Sequence, residues 1–157
     1  MTDIKMLSNF VLWFHKVDND KWDLSSYTKI MTLSNYEDLK YCLTVIKDIT
    51  SGMYFLMKEG INPIWEDKNN KNGGFWTFKV SKSDSYNLWT ELLLYICING
   101  ITKNNESIIN GISLSPKINN CIFKIWNNNS KFKDLKILKN DLKYLDINEG
   151  LYRKHEK

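Results

Sequence analysis

Two tryptophans stand where packing gives them no reason to be. Trp22 follows the polar run Asp18-Asn-Asp-Lys21, and Trp65 lies in the polar stretch from Ile61 to Gly74. Indole prefers burial, and neither stretch carries an apolar period that would fold it inward. Two indoles facing across a ring-thick gap would grip a flat heterocycle, each face contributing about 1–3 kcal/mol of stacking. A positively charged ring would add about 0.5–2 kcal/mol of cation–π attraction, for which Trp is the best partner. Glu66, next to Trp65, carries two acceptor oxygens, matching the N1–H and exocyclic amine of a guanine edge. Such charge-assisted bonds are roughly twice as strong as neutral ones. Lys117, in the turn Ser115-Pro-Lys-Ile-Asn-Asn120, is placed to attract phosphates. Together these residues describe a pocket for a cationic guanine nucleotide such as 7-methylguanosine.

The elements that must position these loops can be read from periodicity. Phe10 to His15 reads as a strand, Ser26 to Leu33 as its returning partner, and Ser34 as the cap of a helix with Glu37 and Asp38 in its first turn. Met53 to Met57 and Phe75 to Val80 read as strands around the Trp65 loop. A helix from Ser83 or Asp84 carries Leu88, Trp89, Leu92, Leu93 and Ile96 on one face. Ile108 to Leu114 and Ile122 to Trp126 read as a hairpin, Lys131 to Leu145 as a Lys-rich amphipathic helix, and Gly150 to Arg153 as an edge strand. Three strand pairs separated by single helices predict an α+β domain, one antiparallel sheet with helices on one face. If the pairs are aligned hairpins, the loops bearing Trp22, Trp65–Glu66 and Lys117 meet at one end. Periodicity assigns Trp13, Trp76, Trp89 and Phe10 to the core.

Composition sets the outer limits. The chain has 157 residues, enough for one domain, and its 22 Lys+Arg against 18 Asp+Glu give +4, too little for a polybasic protein. The excess is uneven: residues 1–100 carry 11 lysines against 12 acids, residues 101–157 carry 11 basic residues against 6 acids. No apolar run is long enough to span a bilayer, and Met1-Thr-Asp-Ile-Lys5 lacks the apolar core of a signal peptide. Cys42, Cys97 and Cys121 are odd in number and scattered, which reads as buried, reduced thiols in a cytoplasmic or nuclear protein. His15 and His155 lie at opposite ends of the chain and form no metal or catalytic spacing; no cofactor motif or catalytic constellation appears, so an enzyme is not expected.

The residues also resemble a family. Trp13-Phe-His-Lys16, Trp22, Gly60-Ile-Asn-Pro-Ile-Trp65-Glu66-Asp67, Asn72-Gly-Gly-Phe-Trp76, Leu88-Trp-Thr-Glu91-Leu-Leu and Lys124-Ile-Trp126 follow the order and spacing of the eukaryotic mRNA cap-binding initiation factor 4E, over about residues 8–126. The resemblance implies a single curved antiparallel sheet with three helices on the convex face and a cap slot on the concave side. It implies that Trp22 and Trp65 sandwich the methylguanine, Glu66 reads its edge, Trp126 sits near the N7 methyl group, and Lys117 meets the phosphates. It implies capped mRNA as ligand and a scaffold-type initiation factor as partner of the helical face, for a monomer without membrane contact.

Departures from the family pattern sharpen these expectations. Asn119 and Ile122 stand where the family has further basic residues; Lys124, of the same strand parity as Trp126, is the substitute candidate. Lys40 stands where the family has a Trp that docks the scaffold's helical peptide, among Tyr36, Thr90 and Leu94. The His-Pro-Leu segment is missing, and the C-terminal part is shorter than the family's. The expectation is therefore one cap-binding domain over 1–157, with 1–7 a flexible lead-in, acting in translation initiation. Lys40 motivates an alternative, a cap-binding repressor or specialised factor that does not engage the usual scaffold. Exposed aromatics among lysines motivate a third, a general single-stranded RNA-binding module.

Overall fold

Period-two alternation along the strands gives the sheet two different faces. In the computed structural model, which describes residues 5–46, 48, 51–104 and 107–155, seven strands are seen. They are β1 (Lys5–His15), β2 (Thr28–Asn35), β3 (Met53–Lys58), β4 (Gly74–Ser81), β5 (Ile109–Pro116), β6 (Asn120–Asn127) and β7 (Leu151–Lys154). They form one sheet of order β2-β1-β3-β5-β6-β4-β7, every pairing antiparallel. Phe10, Leu12, Tyr54, Leu56, Trp76, Phe78, Ile112, Leu114, Phe123 and Ile125 share one face and build the main core. Phe55, Met57 and Trp126 have the opposite parity and form a second, smaller cluster with Trp13, Tyr27, Met53, Ile61 and Phe75.

Helices cover the first face only. α1 (Tyr36–Val45) and α2 (Lys82–Cys97) place Leu39, Cys42, Leu88, Trp89, Leu92, Leu93 and Ile96 in the main core. The α1 start is fixed reciprocally: the Asn35 side chain accepts from the Asp38 N–H at 2.9 Å, and the Asp38 carboxylate accepts from the Ser34 N–H at 2.8 Å. β2 therefore runs to Asn35, past the cap expected at Ser34. The Ser81 hydroxyl caps α2, accepting from the Asp84 N–H. No described helix is long and apolar enough to cross a membrane. All three cysteines are buried and free, and burial pushes the Cys42 and Cys97 thiols up to about 12.

Two expectations are corrected. The third helix, Lys131 to Leu145, is absent: this stretch is irregular apart from a 3-10 turn at Leu135–Ile137. Its apolar residues do face the core, with Leu138, Leu142 and Leu145 buried. Its backbone donors, however, have partners outside any helix. Lys139 N–H donates to the Ile101 carbonyl at 2.8 Å, and Lys143 and Tyr144 N–H donate to the Glu91 carboxylate. The 3/4 spacing that reads as a helix is here an extended segment latched to α2. Second, β3 and β4 are not a hairpin. β3 lies between β1 and β5, and β4 between β6 and β7. Of the expected lead-in, residues 5–7 belong to β1 and residues 1–4 lie outside the described residues.

Trp76 ties the sheet to that extended segment. It is fully buried, and its indole N–H donates to the Lys133 carbonyl at 3.0 Å. Trp76→Ala is expected to cost about 3–5 kcal/mol in a denaturant titration, with new amide exchange across residues 131–138. Trp76→Phe should cost less but show the same local exchange.

Candidate functional site

The face without helices carries the site, and sequence explains each wall locally. At the end of β1, His15 is fully buried and both ring nitrogens meet backbone carbonyls, Lys16 at 2.8 Å and Lys21 at 2.7 Å. Those bonds close the polar turn that sequence placed here and bring Trp22 back onto the strand end. The Trp22 indole lies parallel on the His15 ring, 4.3 Å between centroids and 4° between planes. One indole face is thus covered, while Trp22 as a whole remains 49% exposed.

The Trp65 loop reaches the same place from the other direction. Phe10 pairs with Lys58 and His15 with Met53, so the loop leaves β3 at the end of the sheet opposite to Trp22. Trp65 and Glu66 come back across the open face; the three loops do not gather at one end. The loop is held from within. Asp67 accepts from the N–H groups of Asn62 and Asn69, and the fully buried Asn70 side chain donates to the carbonyls of Asn62 and Ile64. Asn110 on β5 donates to the Asn69 carbonyl and the Asn70 side-chain oxygen, anchoring the loop to the sheet.

Between these walls is a cavity of about 390 Å³ lined by Trp22, Tyr27, Trp65, Glu66, Lys124 and Trp126, with Ser113 and Ser115 among its other lining residues. Trp126 is 94% buried as floor (6% exposed), its indole N–H donating to the Ser113 hydroxyl at 3.0 Å. The Glu66 carboxylate adds to burial in pushing the Tyr27 phenol up to about 12. Lys124, half-buried with its ammonium 4.3 Å from the Phe75 ring centroid, has a lowered pKa, first through burial, then through the charges of Lys117 and Arg153. Among the described residues it is paired with no carboxylate. Among the described residues Lys117 and Arg153 likewise form no ion pair, so three cations stand near one another at the slot.

Five of the six residues expected to hold the ligand therefore line one cavity. Lys117 does not line it; it stands on the β5–β6 turn beside it, near enough to act on Lys124. On the helical face, Tyr36 and Leu94 line an apolar groove with Leu39 and Ile98. Lys40 and Thr90 do not: Lys40 is exposed beside Glu37 at 4.0 Å, and the Thr90 hydroxyl donates to the Tyr86 carbonyl.

Sequence reasoning missed His15, Tyr27, Arg153 and His155. Arg153, the only arginine, pairs with Phe75 across β4–β7 and so shares the open face with Lys124. That could have been read once β7 was set against β4. His155 packs against Trp126 at 5.1 Å and Phe75 at 5.5 Å between centroids. No local signal marked either histidine.

A family model described as eukaryotic initiation factor 4E matches residues 5–157. The chain belongs to that family. Among sequence relatives, an Acanthamoeba polyphaga mimivirus initiation factor 4E homolog is 29% identical over 73% of this chain and 52% of its own length. A rice protein named eukaryotic translation initiation factor NCBP is 30% identical over 77% of this chain and 56% of its own. The chain thus spans about half the length of such initiation factor 4E relatives. Among solved structures, C. elegans eIF4E-3 in complex with the 4E-binding protein Mextli and a cap analog superposes with TM-score 0.74 at 25% identity, covering 83% of this chain and 77% of that one. Ascaris suum eIF4E-3 with an m7G cap gives 0.70 at 27%, covering 82% and 76%.

His155 provides a pH test of this initiation factor 4E fold. Burial first, then the Lys124 charge, lowers its pKa from 6.5 to about 4. The unfolded ring takes up its proton near 6.5 and the folded one only near 4, so the native state loses stability as pH falls through that window. Melting temperature is expected to decline between pH 6.5 and 4 in the wild type, with a visibly smaller decline in His155→Phe.

Proposed function

We propose that this chain binds the 7-methylguanosine cap of mRNA and acts in translation initiation. The observation that carries the reading is the single cavity containing Trp22, Trp65, Glu66 and Lys124 over a Trp126 floor, in a chain of the initiation factor 4E family. Two relatives of the same fold are solved with a cap or cap analog.

The mechanism is binding without a chemical step. The methylated guanine slides between the free face of Trp22 and Trp65. Because N7 methylation gives the ring a positive charge, each indole contributes cation–π attraction of about 0.5–2 kcal/mol beyond stacking. Glu66 accepts hydrogen bonds from N1–H and the 2-amine, about 1.5–3 kcal/mol for a bond to a charged group. Trp126 forms the floor beneath the methyl group. The phosphates meet Lys124, Lys117 and Arg153, taking the place of basic residues that the family carries where this chain has Asn119 and Ile122. Arg153 deepens the original pair of lysines: it brings a planar donor fork from the edge strand to the same face.

The helical groove supports a partner of scaffold type. Tyr36, Leu39, Leu94 and Ile98 offer an apolar surface for a peptide helix, and Lys40 lies outside it on the exposed side of α1. The Lys40 ammonium, 5.8 Å from the Tyr36 ring centroid, also stands at its rim. A lysine where the family anchors its scaffold peptide carries the alternative, a cap-binding repressor or specialised factor that does not engage the usual scaffold.

Tryptophan fluorescence should be quenched by 7-methyl-GTP at about five-fold to several-hundred-fold lower concentration than by GTP, the span of two cation–π contacts of about 0.5–2 kcal/mol each. Equal quenching by both would sink the proposal. Trp65→Ala should abolish most binding, and Glu66→Gln should weaken it roughly ten- to a hundred-fold. Arg153→Ala should weaken 7-methyl-GTP while leaving the 7-methylguanosine nucleoside unchanged. Calorimetry with a Tyr-x-x-x-x-Leu peptide separates the two roles: saturable binding that Leu94→Glu removes supports the initiation factor, and its absence the repressor.

A further inference from the structure

A second, larger cleft lies beside the slot. It has a volume of about 970 Å³ and is lined by Lys16, Val17 and Asp18 of one turn, Pro116, Lys117 and Ile118 of another, and by Phe14 and Lys82. We infer that this cleft holds the first nucleotides that follow the cap in the bound RNA; the inference rests on the cap reading of the neighbouring slot.

Three observations carry it. The first is charge. Lys16, Lys82 and Lys117 come from three separate elements, the turn after β1, the first turn of α2 and the β5–β6 turn, and converge on one cleft. Asp18 is the only acid among the lining residues. The second is apolar surface in the wrong place for a solvated loop. Ile118 is 90% exposed at the tip of the turn and Val17 is 53% exposed facing it. Phe14 also lines the cleft, half-buried at the edge of the main core, its ring against Tyr54 at 5.3 Å. Flat apolar walls rimmed by lysines suit unstacked bases joined by phosphates. A folded protein partner would leave three lysines to be matched by carboxylates of its own.

The third is continuity. Both walls of the cleft are extensions of the slot. Lys16 and Lys21 are fastened by their carbonyls to His15, on which Trp22 stacks. The opposite wall begins at Pro116, one residue beyond Ser115 of the slot, and its turn is closed by the Lys117 N–H donating to the Asn120 carbonyl at 2.7 Å. Lys117 lines the cleft, and its charge acts on Lys124 in the slot. A chain leaving the slot past Lys124 thus has Lys117 beside it as it reaches the cleft. None of the cleft residues packs against the helical groove, so a scaffold peptide and RNA can be bound together.

The full chain would be titrated with 7-methyl-GTP, with a 7-methylguanosine-capped pentanucleotide and with the same pentanucleotide uncapped, at several salt concentrations. The capped RNA should bind about five- to twenty-fold more tightly than 7-methyl-GTP and with a steeper salt slope. Lys16→Ala/Lys82→Ala should reduce that slope by about 1.4, the value for two lost contacts on a single strand, and remove most of the excess affinity, while 7-methyl-GTP binds as before. Equal affinity of wild type for capped RNA and 7-methyl-GTP, or an excess unchanged in the double variant, would overturn the inference and leave the cap reading standing. Failure of both capped ligands to bind would overturn both. Uncapped RNA binding as tightly as capped would overturn the cap-linked path in favour of a general RNA module.

Discussion

The register of β6 is the constraint on which the rest depends. Pairing Phe78 with Phe123 and Phe75 with Trp126 puts the first pair into the helix-covered core and the second onto the open face. The β5 pairing agrees, setting Ile112 against Ile125 and Ser113 against Lys124. Because side chains alternate strictly, a slip of one residue would bury Lys124 under the helices and turn Phe123 to solvent. The penalty on a buried, unpaired ammonium makes that slip costly. Site and core are thus specified by the same pairing, and neither can drift without the other.

That coupling explains the electrostatics of the slot. A sheet face flanked by aromatic rings leaves Lys124 little water, and neighbouring lysine and arginine charges disfavour its ammonium further. The same rings hold His155 neutral well below its ordinary range. The slot thus sets the half-buried Lys124 ammonium near the charges of Lys117 and Arg153, with the Glu66 carboxylate lining the same cavity. The charge does not make the protein a general polyanion binder, since the chain's net charge is only +4. It acts over a short range, at a cavity whose walls are aromatic.

Strands, both real helices and the meeting of five candidate residues in one cavity were legible because each rests on local information. Alternation marks β1, β4 and β6, a cap with an acidic first turn marks α1, and tryptophans on polar loops mark the slot. What was not legible depends on long-range pairing. The segment after Trp126 has helical spacing, yet Glu91 and Ile101 take its backbone donors. β3 and β4 adjoin in sequence and separate in the sheet, so Trp65 crosses the open face from the far end. Arg153 becomes a site residue only through the partner it meets across β4. Asn70 and Asn110 looked like two of many asparagines; only the fold shows them fastening the Trp65 loop.

The burial of His15 bears on how quickly a ligand can be captured. Trp22 lies against a fully buried ring whose nitrogens sit against the Lys16 and Lys21 carbonyl oxygens, so this wall is set when the chain folds. The ordering of a loop that would otherwise accompany each encounter has been completed beforehand. Productive collisions then need to find only a correct orientation, not a correct orientation during a rare loop conformation. Under the proposed cap binding, such a wall would shorten the search at each RNA end.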